Sequence, residues 1–427
     1  MRRRRRLRCE RWPTLARVAV IGAWLGAASL TSGCRRETES WTPPGASARQ
    51  SPTRGDAARG AKLVVEFECS RCHQGTGAPT ATLDKDCSGC HEGIAQGTIT
   101  AEPTELARWQ GRIRHFLAVP SLSSAGQKFQ RSWLERYLLD PHDLRPALAE
   151  SMPRLRLTPE QAADLSAYFA PNDAGSTPIE APPAAMLARG RTLLDEKGCG
   201  TCHRMTGVAP LLASPLPSPL SEAARLRALR LAPDLRFARE RLLPGYLERW
   251  LTDPVAVAAD ASMPNPKLSP EEIRDISAYL LAAPLARVTP PVFTRLPVLT
   301  RPVKFAEVKE RVFRDTCWHC HSEPDYAIGD GGPGNTGGFG FPGKRINLAQ
   351  HEGLLAGYED ATGERKSLFL AEKPSGESRL VSALLARHAE EAGTPVPGVR
   401  GMPLALPALP AEEIQLVETW IAQGRPL

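Results

Sequence analysis

The sequence contains no apolar run long enough to cross a bilayer. Its longest, Val18 to Leu30, is 13 residues, whereas a spanning helix needs about 20. No clear alternation of apolar and polar residues appears, so only small β elements are expected. There is no Ser-His-Asp order and no phosphate loop. The glycine-rich stretch Gly329 to Gly343 lacks the Lys-Ser/Thr pair and the preceding strand that such a loop requires. Charge of one sign is also missing once the first 33 residues are set aside. The chain is formally +7, but residues 1–33 hold eight Lys/Arg and one Asp/Glu, and the remainder holds 46 of each sign. Nucleic-acid binding therefore has no electrostatic basis. Methionine is sparse, with six in 427 residues.

Cysteine is present in a pattern. Cys69-Ser-Arg-Cys72-His73, Cys87-Ser-Gly-Cys90-His91, Cys199-Gly-Thr-Cys202-His203 and Cys317-Trp-His-Cys320-His321 all read C-x-x-C-H. This is the signature of covalent c-type haem attachment, in which two thiols bond the porphyrin and the following His binds the iron. Four copies imply four haems c. The first two also read C-x2-C-x14-C-x2-C, close to a zinc-ribbon spacing. Zinc gives no reason for a His after every second Cys.

The remaining two cysteines are Cys9, in an arginine-rich head, and Cys34. Residues 1–33 read as a signal peptide: a basic segment to Arg17, the apolar run, then Leu30-Thr-Ser-Gly before Cys34. This segment resembles a bacterial lipoprotein signal with Cys34 as the lipidated residue. An ordinary cleaved signal peptide is the alternative. The expected location is the periplasmic side of the bacterial cell envelope, with the chain lipid-anchored to a membrane. Residues 34–55 are polar and rich in Pro, Gly and Ser and read as a tether.

Two stretches of the chain repeat one another. Ala58-Arg59-Gly60 and the first haem motif match Ala188-Arg189-Gly190 and the third at an offset of 130. Trp133 to Pro141 matches Tyr246 to Pro254 at 113. Ser151-Met152-Pro153 through Phe169 matches Ser262-Met263-Pro264 through Leu280 at 111. A helix is predicted from Asp56 to Glu68 with Asp56 as its cap. Thr158-Pro-Glu-Gln161 and Ser269-Pro-Glu-Glu272 are predicted capping boxes with Pro at the first helical position.

The repeats, at residues 56–172 (with two haem motifs) and 186–284 (with one), resemble the class I cytochrome c fold. Residues 300–427 resemble the planctomycete-type cytochrome c domain. The resemblance implies an all-α chain of three cytochrome c-like domains joined by Pro-rich linkers behind the lipoprotein signal. It implies that Gly60 packs on Tyr168 and Gly190 on Tyr279. It also implies that Met152, Met263 and Met402 are sixth iron ligands opposite His73, His203 and His321. Gly329 to Gly343 then reads as a mobile loop over the haem edge.

The haem at Cys87–His91 has no Met-Pro partner. His115, in a helix predicted over Leu106–Leu117, is the expected ligand, with His142 as the alternative. His/Met ligation raises a haem's potential relative to His/His, so this haem is expected to be the lowest-potential centre. Eight filled axial positions suit an electron carrier in a respiratory chain. Its partners would be redox donors and acceptors, among them a membrane quinol-oxidising or oxidase complex. A peroxidase or reductase with one five-coordinate haem is the alternative.

Overall fold

The computed structural model describes residues 55–148, 151–172, 181–216, 220–290, 292–322, 339–341, 343–371 and 376–427. Cys34, the signal, nearly all of the tether and most of the Gly329–Gly343 stretch lie outside these residues. No described helix is long and apolar enough to cross a membrane.

Asp56 accepts a hydrogen bond from the Arg59 backbone N–H and so starts α1 (Ala57–Glu66), which buries Gly60, Leu63 and Val64 on one face. After it come α2 (Cys87–Gln96), α3 (Pro103–Gln110), α4 (Ala125–Lys128) and α5 (Arg131–Leu139). The predicted capping box then opens α6 (Pro159–Phe169), with Thr158 and Gln161 bonded reciprocally. Helix α6 crosses α1 closely. A Cβ on Gly60 would collide with the Asp164 carbonyl oxygen and lie 2.7 Å from the Tyr168 Cβ.

The second repeat is built the same way. It comprises α7 (Ala184–Glu196), α8 (Glu222–Leu231), α9 (Ala238–Arg241), α10 (Pro244–Thr252), α11 (Pro254–Val257) and α12 (Pro270–Ala282). Ser269 and Glu272 form the second capping box. A Cβ on Gly190 would collide with the Asp275 carbonyl and lie 2.8 Å from the Tyr279 Cβ. Both crossings carry an ion pair that went unnoticed in the sequence: Arg59 Nε to Asp164 Oδ2 at 2.7 Å, and Arg189 Nε to Asp275 Oδ2 at 2.7 Å.

The Asp164 carboxylate is buried, and its bond to Arg59 holds its pKa below the usual carboxylate value. A depressed folded pKa adds stability above the unfolded value of about 4. That stability is lost as pH falls through the lower folded value. Asp164→Asn should therefore flatten the acid limb of a stability-against-pH curve, measured by thermal unfolding between neutral and acid pH.

The repeats meet through equivalent residues. Phe129 and Leu242, 113 apart, form an antiparallel bridge. The Gln130 N–H donates to the Arg241 carbonyl at 2.9 Å, and the Leu243 N–H to the Lys128 carbonyl at 3.0 Å. Each bond is the other's counterpart under the same offset, so a local two-fold axis relates the repeats here.

The last third starts with α13 (Phe305–Val308). It continues through a π-helical turn, Lys309–Phe313, into α14 (Arg314–Thr316). Then come α15 (His351–Ala356), a two-stranded ribbon of β1 (Tyr358–Glu359) and β2 (Arg365–Lys366), α16 (Arg379–Glu391) and α17 (Ala411–Ala422). Val308 stands where the repeats have glycine and is fully buried among Val312, Phe313, Val417 and Trp420.

The Pro-rich segment before α13 is not a free linker. Arg295 pairs with Glu377 and Glu418, and the Leu299 N–H donates to Thr419 Oγ1 at 2.9 Å. This last part also packs on the first repeat. The Ser151 N–H donates to the Ala405 carbonyl at 3.0 Å, Arg387 Nη2 to Ser151 Oγ at 3.0 Å, and the Phe339 N–H to Glu68 Oε2 at 3.1 Å. The described residues form one compact unit.

Candidate haem-binding sites

The first and third motifs have the same local geometry. The residue before the first Cys is left-handed in both: Glu68 at φ 49° and Gly198 at φ 75°. Only Gly adopts this without steric cost. A single 3-10 turn follows, and the His N–H donates to the first Cys carbonyl, from His73 to Cys69 at 2.9 Å and from His203 to Cys199 at 2.8 Å. The second motif is different, because Cys87 begins α2. Asp86 caps that helix by accepting from the Gly89 N–H at 2.7 Å. The fourth motif follows α14, with the His321 N–H on the Cys317 carbonyl at 2.9 Å.

An iron-binding imidazole needs one nitrogen held and the other aimed at the metal. His73 Nδ1 lies 2.8 Å from the Pro120 carbonyl, His203 Nδ1 2.9 Å from that of Pro233, and His91 Nδ1 2.7 Å from that of His115. Each contact leaves Nε2 for metal. His321 Nδ1 is buried and has no partner among the described residues. Burial pushes His73 and His203 below the usual histidine pKa, and His321 down to about 4. The ligating, neutral form is thereby favoured. Burial pushes the thiols of Cys69 and Cys199 up to about 11, and that of Cys317 up to about 12.

No described group of three or more His, Cys, Asp or Glu side chains converges as a metal cluster. The four-thiolate site suggested by the zinc-like spacing is therefore not assembled. The third motif lines haem-sized space. One cavity of about 790 Å³ is lined by Cys199, Cys202, His203 and Met263, so the third motif and its expected sixth ligand share it. Trp250 Nε1 donates to Met263 Sδ at 3.0 Å and orients that side chain. Met152 packs with Cys69 on the first repeat's core. The Met402 N–H is anchored to the Ala383 carbonyl of α16 at 2.9 Å.

The same cavity reaches the first repeat at Cys72 and is lined by Lys128, Arg145 and Arg241. Burial, with a smaller contribution from the nearby Arg145, pushes Lys128 down to about 8 and Arg241 down to about 10. Arg241 Nε and the buried Trp133 Nε1 have no partner among the described residues. A guanidinium with a buried, unpartnered Nε beside two further cations calls for an anion. The two carboxylates of a haem suit this need, so the residues fit the group. The thiols and the imidazole of each motif would hold it, and it supplies a one-electron iron centre when bound. Sequence reading missed this basic cluster. Its signal was that Lys128 and Arg241 are equivalent residues of the two repeats.

His115 is not where the sequence placed it. Helix α3 ends at Gln110, capped at Gly111, so His115 falls in the turn beyond. Its carbonyl contacts Nδ1 of His91. His142 is half-buried between Tyr137 and Phe237. His351 and His388 contact the carbonyls of Arg425 and Leu409.

No curated protein and no solved structure matches the chain. The sequence profile of the family described as "Cytochrome c" matches residues 187–284. That span contains the third motif, Met263 and part of the cavity lining. Residues 187–284 form a cytochrome c-like region, and with it come covalently bound haem c and haem-based electron transfer.

Proposed function

We propose that the chain is a tetrahaem c-type cytochrome. It is held through lipidated Cys34 on the periplasmic side of a bacterial envelope membrane. It passes electrons between redox proteins of a respiratory chain, among them a quinol-oxidising complex or an oxidase. The observation that carries this reading is the mutual contact of the four motifs. Ser88 Oγ of the second motif donates to the Cys72 carbonyl of the first at 2.7 Å. His91 and His319 stand with ring centres 5.8 Å apart. Cys72 and His203 line one cavity. Clustering of this kind serves electron passage between cofactors.

A mass measurement on the mature protein tests the proposal. Four porphyrins and a diacylglycerol-type addition at Cys34 are expected, and a smaller count refutes the tetrahaem reading. The reduced protein should bind no carbon monoxide if every iron is fully ligated; binding would favour the peroxidase or reductase alternative. Replacing the buried cation in Arg241→Met should lower the potential of the nearest haem. At an effective dielectric of about 20 and a separation of about 10 Å, the effect is about 1–2 kcal/mol. A redox titration of the variant beside the parent reads this directly.

A further inference from the structure

Resting on the tetrahaem reading, we propose that His319 is the second iron ligand of the haem held by Cys87, Cys90 and His91. His319 lies within the C-terminal motif, between Cys317 and Cys320. Its ring centre is 5.8 Å from that of His91, and the ring planes are inclined by 63°. With metal–imidazole bonds of about 2 Å on each side, two rings on opposite faces of one iron stand roughly 6 Å apart. His91 Nδ1 is engaged by the His115 carbonyl at 2.7 Å, so Nε2 is the nitrogen that would meet the metal.

The same contact argues against His115 in this role. Its main-chain carbonyl contacts His91 Nδ1, on the side of the ring away from Nε2. The number of ligands agrees, because only Met152, Met263 and Met402 precede a proline, leaving one iron of four to be capped otherwise. Cys320 lies within electrostatic reach of Cys87 and Arg71, so the C-terminal motif abuts the second one along more than a single ring. The arrangement builds the ligand of one haem into the peptide that covalently carries another. It couples the two irons and ties the C-terminal part to the first repeat.

Near-infrared magnetic circular dichroism, which separates bis-histidine from His/Met haems, tests this on the full-length oxidised protein. The parent should show one bis-histidine centre. His319→Met should convert it to a His/Met centre of higher potential. His319→Ala should leave one high-spin haem that binds one more carbon monoxide than the parent when reduced. His115→Ala preserves the carbonyl and should keep the bis-histidine signal.

Peptide mass mapping on the same samples locates the porphyrins. A parent lacking porphyrin on Cys87 and Cys90 defeats the tetrahaem reading and this proposal with it. Four porphyrins with the bis-histidine signal intact in His319→Met defeats the ligand assignment alone. The ring contact is then ordinary edge-to-face packing. Loss of the signal in His115→Ala also overturns the assignment. If His319→Ala does not mature, His319→Met carries the test.

Discussion

Replacing both Cys87 and Cys90 by alanine should yield a folded protein with three porphyrins and about a quarter less α-band absorbance, one site in four being removed. The fold should survive because α2 depends on neither thiol to begin. Asp86 caps it through the Gly89 N–H, and Ser88 Oγ fastens it to the Cys72 carbonyl. The functional loss should be larger than the optical one. The second motif touches the first through Cys72 and the C-terminal motif through His319. Without its haem, electron equilibration between the first repeat and the C-terminal part should slow sharply after flash reduction. Unchanged porphyrin mass in the double variant would show that Cys87 and Cys90 carry no haem.

Gly190→Val should be the most damaging single substitution in the second repeat, with a loss of about 3 kcal/mol at the upper end of overpacking costs. Total stability is typically about 5–15 kcal/mol. The added atoms would collide with the Asp275 carbonyl and the Tyr279 Cβ, neither of which can swing aside. Helices α7 and α12 would have to separate, breaking the Arg189–Asp275 pair. Helix α7 ends only three residues before Cys199, so its displacement would also shift the haem motif against Met263. Gly245→Ala is the control. Its added Cβ meets only Arg249 Nη1 at 3.8 Å, and its unfolding curve should match the parent or lie above it. Equal melting of Gly190→Val and the parent would show that the close crossing is not needed.

Much of this was legible because the rules involved are local. A cap and its partner lie three residues apart, so Thr158–Gln161 and Ser269–Glu272 could be read directly and were found bonded. The resemblance to class I cytochromes c implied Gly60 with Tyr168 and Gly190 with Tyr279, and the close crossings are there. Comparison of the repeats held an unused signal: Arg59 and Arg189 recur opposite Asp164 and Asp275, and the equivalent charges pair. The carbonyls that hold the imidazoles of the C-x-x-C-H motifs were not legible. They lie 47, 30 and 24 residues from His73, His203 and His91. Every residue has a carbonyl, so side-chain chemistry does not mark which one is used. The helix predicted around His115 was misjudged for a related reason: apolar residues at helical spacing continue past Gly111, but the chain turns there and presents the His115 carbonyl to His91.

By itself, then, the order of residues determined the four thiol-pair-plus-imidazole motifs, the helices with their caps, the repeat and the Met-Pro positions. Each is a short-range pattern governed by covalent reach or helical periodicity. Only the tertiary structure decided that the repeats join about a local two-fold at Phe129 and Leu242, that Lys128 and Arg241 share a haem-sized cavity, and that His319 faces His91. Those contacts join segments more than a hundred residues apart, and they form where packed surfaces meet.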